Sequence, residues 1–586
     1  MALAGISVVS LALASLPNQA SAAMNDPLDD NSPWAMGTSA EWAREYPKFN
    51  PLLDQAGVKW MRLFPGWHSI EPKQGEFKWE GADKIIANAK ENHIRTLGTW
   101  VFFPGWAAAD GKNPRQGPVK DIKFWSDYVT ATATRYQKDI KYWEVWNEFN
   151  GGGFYLGKNK PQEYADLMVA AYDAVKKINP NIKVGMSVAN FDTSFLDKAI
   201  KAGAANHFDF ICVHPYENLG GVGGDGDGEN TYLSMTTSLR SMLAENKQRA
   251  DIPLWISEMG FAAPVAPDPA LDSRQADVLV KGFILSIAQG FQRLFWFEAR
   301  GPAYGKGKDG KPQDLGIIRP DWSFRPAYFA LKTMTSILGP EPKYAGWLDI
   351  DKGGYGFMFQ TPSGPVLVAW ASAKGAQKTK FDSPVRVIDL AGKETQLAAG
   401  QILKLTRSPV FITKVPATVV SMAQANISKR FPWGGDFSQT DTVLERFGTN
   451  VDQGIKGGKV SIVNDLVESW GSTVVDGKNA KMHMFTVHPS FLNPIPKELE
   501  ITVVARRIEA DKPSDVTIYF YESSSGYKPA TPRTWSIPAG DKWQEHTWKV
   551  SDANFIGQWG YHVAVETPQG CLLKEIRIKK VGASAK

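Results

Sequence analysis

Glu148 and Glu258 occupy positions where a carboxylate can do chemistry. Glu148 closes the run Trp143-Glu144-Val145-Trp146-Asn147-Glu148-Phe149-Asn150, and Glu258 closes Leu254-Trp255-Ile256-Ser257-Glu258 ahead of Met259-Gly260-Phe261. Each run reads as a short strand that delivers a carboxylate at its C-terminal end. Carboxylates held at the rim of a folded core without a partner are costly unless they serve a purpose. Two of them facing one another suit glycosidic bonds: one protonates the leaving oxygen while the other attacks the anomeric carbon. Glu144 lies four residues before Glu148 on the same strand face and reads as a deeper, ion-paired core residue.

These two strands belong to a longer alternation. Strands are expected over Trp34–Gly37, Val58–Phe64, Ile94–Trp100, Tyr142–Asn147, Lys183–Val188, Phe208–His214, Pro253–Ser257 and Arg293–Phe297. Most are followed by a segment with helical apolar spacing, as in Tyr164–Ile178 and Gln275–Ala288. Eight such alternations predict an α/β fold, a (β/α)8 TIM barrel over residues 34–338, whose reacting groups sit at the C-terminal strand ends. A doubly wound open sheet is the other arrangement with this pattern, but no strand runs into a GxGxxG phosphate loop. After Gly339-Pro340 the helical spacing stops. A small β-domain packed on the barrel is expected over residues 341–416, and a jelly-roll-like β-sandwich over 426–583.

The strand ends resemble clan A of the glycoside hydrolases, retaining barrels with two catalytic glutamates, and within it family 39 and related enzymes. The resemblance rests on Trp146-Asn147-Glu148 ending the fourth strand, a lone Glu258 ending the seventh, Arg62 ending the second, His214-Pro215-Tyr216 ending the sixth and Trp296 on the eighth. It implies Glu148 as acid/base, Glu258 as nucleophile and Asn147 on the sugar 2-hydroxyl. It also implies Arg62, His214 and Tyr216 beside the nucleophile and sugar, and Trp296 flooring the subsite at the cleaved bond. Phe149 stands where the clan often has proline. The implied activity is hydrolysis of β-glycosidic bonds in a polysaccharide or its oligosaccharides by double displacement. That requires a gap of about 5–5.5 Å between the carboxyl groups and a Glu148 pKa raised by the enclosed site and the charge on Glu258. An inert carbohydrate-binding protein on the same barrel is the alternative; binding alone needs neither glutamate.

Leu63-Phe64-Pro65-Gly66-Trp67 and Phe102-Phe103-Pro104-Gly105-Trp106 repeat one turn after two successive strands. Trp67 and Trp106 therefore emerge on the catalytic face, where they either stack on sugars or wedge the loops. The run from Gly223 to Asn230, with Asp225 and Asp227, has calcium-loop composition without the ligand spacing, and reads as a flexible cleft loop. Lys306, Lys308 and Lys311 read as a solvated turn. The eight histidines form no HxH or HExxH pattern, so no metal and no cofactor is expected.

At 586 residues, 43% hydrophobic and 22% charged, the chain is globular and too long for one core. A net charge of +5 argues against an extended nucleic-acid footprint. The apolar run from Ala2 to Leu16, ending in Ala20-Ser21-Ala22, reads as a signal peptide over residues 1–22. A secreted or periplasmic protein, with no membrane span once the signal is removed, is therefore expected. Cys212 and Cys571 fall in different expected domains and read as separate buried thiols. Trp433 and Trp470 in the C-terminal region serve either glycan binding or packing.

Overall fold

The structure is a computed structural model. It describes residues 31–581 except 40–42, 110–115, 152, 225, 227, 302–304, 307–309, 374 and a set of short stretches between 435 and 570. The expected signal segment, Asp225, Asp227, Lys308 and Trp470 lie outside the described residues.

Eight parallel strands close into a barrel: β1 (Trp34–Gly37), β2 (Trp60–Arg62), β3 (Arg95–Trp100), β4 (Tyr142–Val145), β5 (Lys183–Ala189), β6 (Phe210–His214), β7 (Leu254–Met259) and β8 (Arg293–Phe297). β8 returns to β1 in parallel register, Trp34 opposite Leu294 and Gly37 opposite Phe297, which completes the ring. Helices including Glu80–Glu91, Ile122–Tyr136, Lys160–Ile178 and Pro269–Gln289 follow individual strands and cover the outside. Their ends are written in the sequence. Asp121 accepts a hydrogen bond from Lys123 N at 2.8 Å at the start of Ile122–Tyr136. Gly290, at a φ of 104°, terminates Pro269–Gln289 in a conformation that favours glycine. Among the described residues no helix is long and apolar enough to cross a membrane.

Alternation along the strands sends one set of side chains inward. The inward set forms a separate aromatic layer: Ala35, Trp60, Leu97, Tyr142, Phe210, Cys212, Trp255 and Phe295. Below it the Arg293 guanidinium lies 4.3 Å from the Trp60 ring centroid and 4.4 Å from that of Trp255, so a cation is held by π-faces inside the barrel. The interior is packed, and the residues above this layer are pushed to the rim.

Beyond the barrel, six antiparallel strands between Lys343 and Thr413 form one sheet. One face of it, with Tyr355, Phe357, Phe359 and Trp370, joins the barrel's own core. The other face has a core of its own, including Met358, Leu367 and Ile412. Trp433 is buried against Tyr355 and Phe357, at 4.7 and 5.3 Å between centroids. It fills that seam, so of the two roles open to Trp433 the structure gives it packing. The C-terminal region is rich in antiparallel strands from Thr442 to Lys580, with a third core around Phe485, Ile501, Val503, Trp548 and Ile576.

Candidate active site

Strict alternation would turn only one of two neighbouring residues toward the barrel mouth. The strands that carry Glu148 and Glu258 both break it. After β4, Trp146 and Glu148 take φ values of 67° and 51°, the left-handed region that costs a non-glycine residue roughly 1 kcal/mol or more. Asn147 and Glu148 consequently both reach the mouth. On β7 the register against β8 shifts between Ile256 and Met259: two residues of β7, Ser257 and Glu258, oppose the single Phe295 of β8. That bulge lets Ser257 and Glu258 both point inward while Met259 returns to the outer core.

Arg62, at the end of β2, organises the floor. Its Nε donates to Glu144 Oε2 at 2.6 Å, its Nη1 to Glu258 Oε2 at 2.8 Å and its Nη2 to Asn147 Oδ1 at 2.7 Å. The Tyr216 hydroxyl donates to Glu258 Oε1 at 2.8 Å. On the other side His214 Nδ1 lies 3.0 Å from Glu148 Oε1, and its Nε2 lies 3.0 Å from Ser257 Oγ. Ser257 Oγ in turn donates to Glu144 Oε1 at 2.6 Å. One oxygen of Glu148, one of Glu258 and a nitrogen of His214 lie within 4.8 Å of one another.

Burial would raise Glu144, but the Arg62 charge, then the neighbouring His214 and the Ser257 hydrogen bond, hold it far below the usual carboxylate range. Burial would likewise depress His214; the charge on Glu258, the neighbouring Glu144 carboxylate and the bond to Glu148 outweigh it and push the imidazole up to about 9. The neighbouring His214 corrects one expectation. The enclosure of Glu148 acts upward as foreseen, but the His214 bond and charge, then the Arg62 charge, leave its pKa lowered. Tyr216 is raised well above its ordinary value by burial and by Glu258, so its hydroxyl keeps the proton it donates.

The structure brings together Glu148, Glu258, Arg62, Asn147, His214 and Tyr216. It places three expected sugar contacts elsewhere. Trp296 points out of the barrel into the core shared with the helices and is fully buried. The alternation Arg293, Phe295, Phe297 faces inward instead, and the half-buried Phe297 ring lies over Gly37 at the mouth. Trp67 is fully buried, stacked on Tyr128 at 4.7 Å between centroids, with Nε1 donating to Glu71 Oε2 at 2.7 Å. Trp106 is half-buried edge-on to Trp67, its Nε1 donating to Glu71 O at 2.9 Å. The repeated Phe-Pro-Gly-Trp turn therefore wedges loops, and the fully buried Trp67 offers no stacking face to a ligand.

Sequence reasoning missed Ser257 and Phe297, and did not foresee that Glu144 would reach Glu148 through two intermediates. The signal for Ser257 was its place beside Glu258 on an inward-facing strand. For Phe297 it was the inward face itself, which strands buried on both sides do not reveal. The trio Glu148, His214 and Glu258 is also the group among the described residues with metal-ligand spacing. Its atoms already serve one another, Arg62 and Tyr216.

Residues 75–293 match the family model described as Glycosyl hydrolases family 39, a segment that holds both glutamates but not Arg62 or Phe297. Curated relatives include endo-1,4-beta-xylanase A of Halalkalibacterium halodurans, 25% identical over 126 residues, covering 19% of this chain and 32% of the relative. Aryl-phospho-beta-D-glucosidase BglA of Bacillus subtilis is 23% identical over 196 residues, covering 28% and 40%. The chain thus spans less than half the length of either. Among solved structures, a family 39 glycoside hydrolase from Bacteroides cellulosilyticus WH2 superposes with a TM-score of 0.53 at 18% identity, covering 66% of this chain and 81% of that one. That likeness concerns the fold.

Proposed function

We propose that this chain is a retaining β-glycoside hydrolase of clan A, most similar to family 39, with Glu258 as nucleophile and Glu148 as acid/base. One observation carries the reading: oxygens of Glu148 and Glu258 face each other within 4.8 Å across the barrel mouth. That gap suits direct attack, for which about 5–5.5 Å between carboxyl groups is usual. It leaves no room for the interposed water of an inverting site, which needs roughly 6.5–9.5 Å.

The roles follow from the partners. Glu258 accepts from Arg62 and Tyr216, which fix the direction of its carboxylate. It attacks the anomeric carbon as the glycosidic oxygen takes a proton from Glu148. Water then attacks the glycosyl-enzyme, giving its proton to Glu148, and Glu258 leaves. Asn147, held by Arg62, presents its amide to the sugar 2-hydroxyl. An inert carbohydrate-binding barrel has no use for a charge-clamped carboxylate and a second carboxyl opposite it.

The test is hydrolysis of an aryl β-glycoside panel that begins with xylosides and glucosides, the sugars named for the curated relatives. Glu258→Ala should abolish turnover, and azide should restore it with an α-glycosyl azide as product. Glu148→Ala should spare only substrates with good leaving groups. Full activity in Glu258→Ala sinks the assignment.

A further inference from the structure

Resting on the reading just proposed, we infer that Ser257 and Glu144 are positioning residues that lock the proton on His214 Nε2, so that one mobile proton is shared between His214 Nδ1 and Glu148. The argument begins at the buried end. Glu144 is ionised beside Arg62, and an ionised carboxylate only accepts hydrogen bonds. The single proton of Ser257 is therefore committed to Glu144 Oε1 at 2.6 Å. What Ser257 offers His214 is a lone pair, and Nε2, 3.0 Å away, must supply the hydrogen. Glu144 Oε1 itself, 3.8 Å from Nε2, favours the same tautomer.

The consequence falls on the opposite nitrogen. Nδ1 and Glu148 Oε1 are 3.0 Å apart, so one hydrogen lies between them, whichever atom holds it. Neutral His214 accepts it from a protonated Glu148; charged His214 donates it to an ionised one. Groups facing the imidazole are Glu144 and Glu148 from β4 and its loop, Ser257 and Glu258 from β7, and Arg62 from β2. The carboxylates favour retention of the shared proton, and Arg62 opposes it. The lowered pKa of Glu148 beside a raised His214 is then one proton distributed over two sites.

The proton count closes over a cycle. In the first step the bond from the anomeric carbon to the glycosidic oxygen breaks and its electron pair stays on that oxygen. The oxygen takes the shared proton through the Glu148 carboxyl, and Glu258 forms its bond to carbon. Ionised Glu148 and neutral His214, still protonated on Nε2, remain. In the second step the water oxygen bonds to the carbon, its proton returns to the Glu148–His214 pair, and the electrons of the broken bond return to Glu258.

Two measurements test this. Nitrogen-15 histidine shifts of the wild-type protein, with His214 identified by a His214→Gln sample, should show the neutral ring protonated on Nε2 above its titration. A neutral Nδ1–H ring overturns the inference, and this readout needs neither a folded Ser257 variant nor a known substrate. In the pH profile of kcat/KM, Ser257→Ala should move the basic limb down by about one to two pH units, because the imidazolium loses a hydrogen bond to its charged form. The acid limb should stay in place, and Ser257→Thr should restore the basic limb. A basic limb unmoved in a folded Ser257→Ala overturns the inference while leaving the two-glutamate mechanism intact. If the wild type cleaves nothing on the panel, the proposed function falls, and the tautomer measurement still decides the lock.

Discussion

The Tyr216 hydroxyl donates to Glu258 Oε1, the carboxylate oxygen that Arg62 leaves free. Each oxygen of the Glu258 carboxylate thus has its own donor, from β2 on one side and from the end of β6 on the other. Tyr216→Phe removes one donor and keeps the ring. A hydrogen bond to a charged group contributes about 1.5–3 kcal/mol, so kcat/KM on an aryl glycoside should drop by about one to two orders of magnitude. Thermal stability should change little; an unchanged kcat/KM removes Tyr216 from the site.

Arg62→Met removes the guanidinium that pairs with Glu144 inside the barrel and leaves it the Ser257 hydroxyl and the neighbouring His214. Breaking a buried pair from one side costs about 3–5 kcal/mol, and the melting temperature should fall accordingly. The pH dependence should also reverse. In the wild type Glu144 is held below its ordinary 4.5, so its stabilisation is present above that pH and is lost only as pH falls through the depressed value. Without Arg62, burial dominates and raises Glu144. The variant should then gain stability on acidification from pH 7 to 5. A variant that loses stability over that range contradicts the ion-pair account.

His214 carries the opposite sign. Its pKa rises on folding from 6.5 to about 9, so its contribution is fully present below 6.5 and fades as pH climbs through 9. Urea unfolding at pH 6, 7.5 and 9 should show the wild type losing stability across this window relative to His214→Gln. Parallel curves for the two proteins leave the imidazole neutral.

The aromatic residues separate packing from binding. Trp67→Ala empties a fully buried site and should cost about 3–5 kcal/mol of stability with KM unchanged. Phe297→Ala, at the mouth, should raise KM roughly three- to tenfold. Exchange of these two phenotypes refutes the assignment of Phe297 to the cleft.

Chelators should leave activity intact. The three potential ligands are already engaged, Glu258 by Arg62 and Tyr216 and Glu148 by His214, and the chemistry needs only carboxyl groups. Loss of turnover in EDTA with recovery on added metal rules out this mechanism.

The barrel was legible because strand and helix periods alternate eight times, and the bounds of β1 and β8 coincide with those expected. Orientation was not. Strands of a barrel are apolar on both faces, so nothing local said that Phe297 rather than Trp296 turns inward. The Ser257–Glu258 bulge leaves no composition signal, since it arises from register against β8. Trp67 and Trp106 misled because an indole suits a loop core as well as a sugar face. Glu148 and Glu258 needed only their place at strand ends, which backbone pattern supplies.

The bulge on β7 has a genetic reading as well. One additional residue between Ile256 and Met259 lets adjacent codons furnish the attacking group and the hydroxyl beneath the imidazole. Deleting a single residue there restores regular pairing with β8, and only one of the two can then face the cleft. A one-residue deletion at this point therefore leaves the cleft with either the Ser257 hydroxyl or the Glu258 carboxylate, and not both.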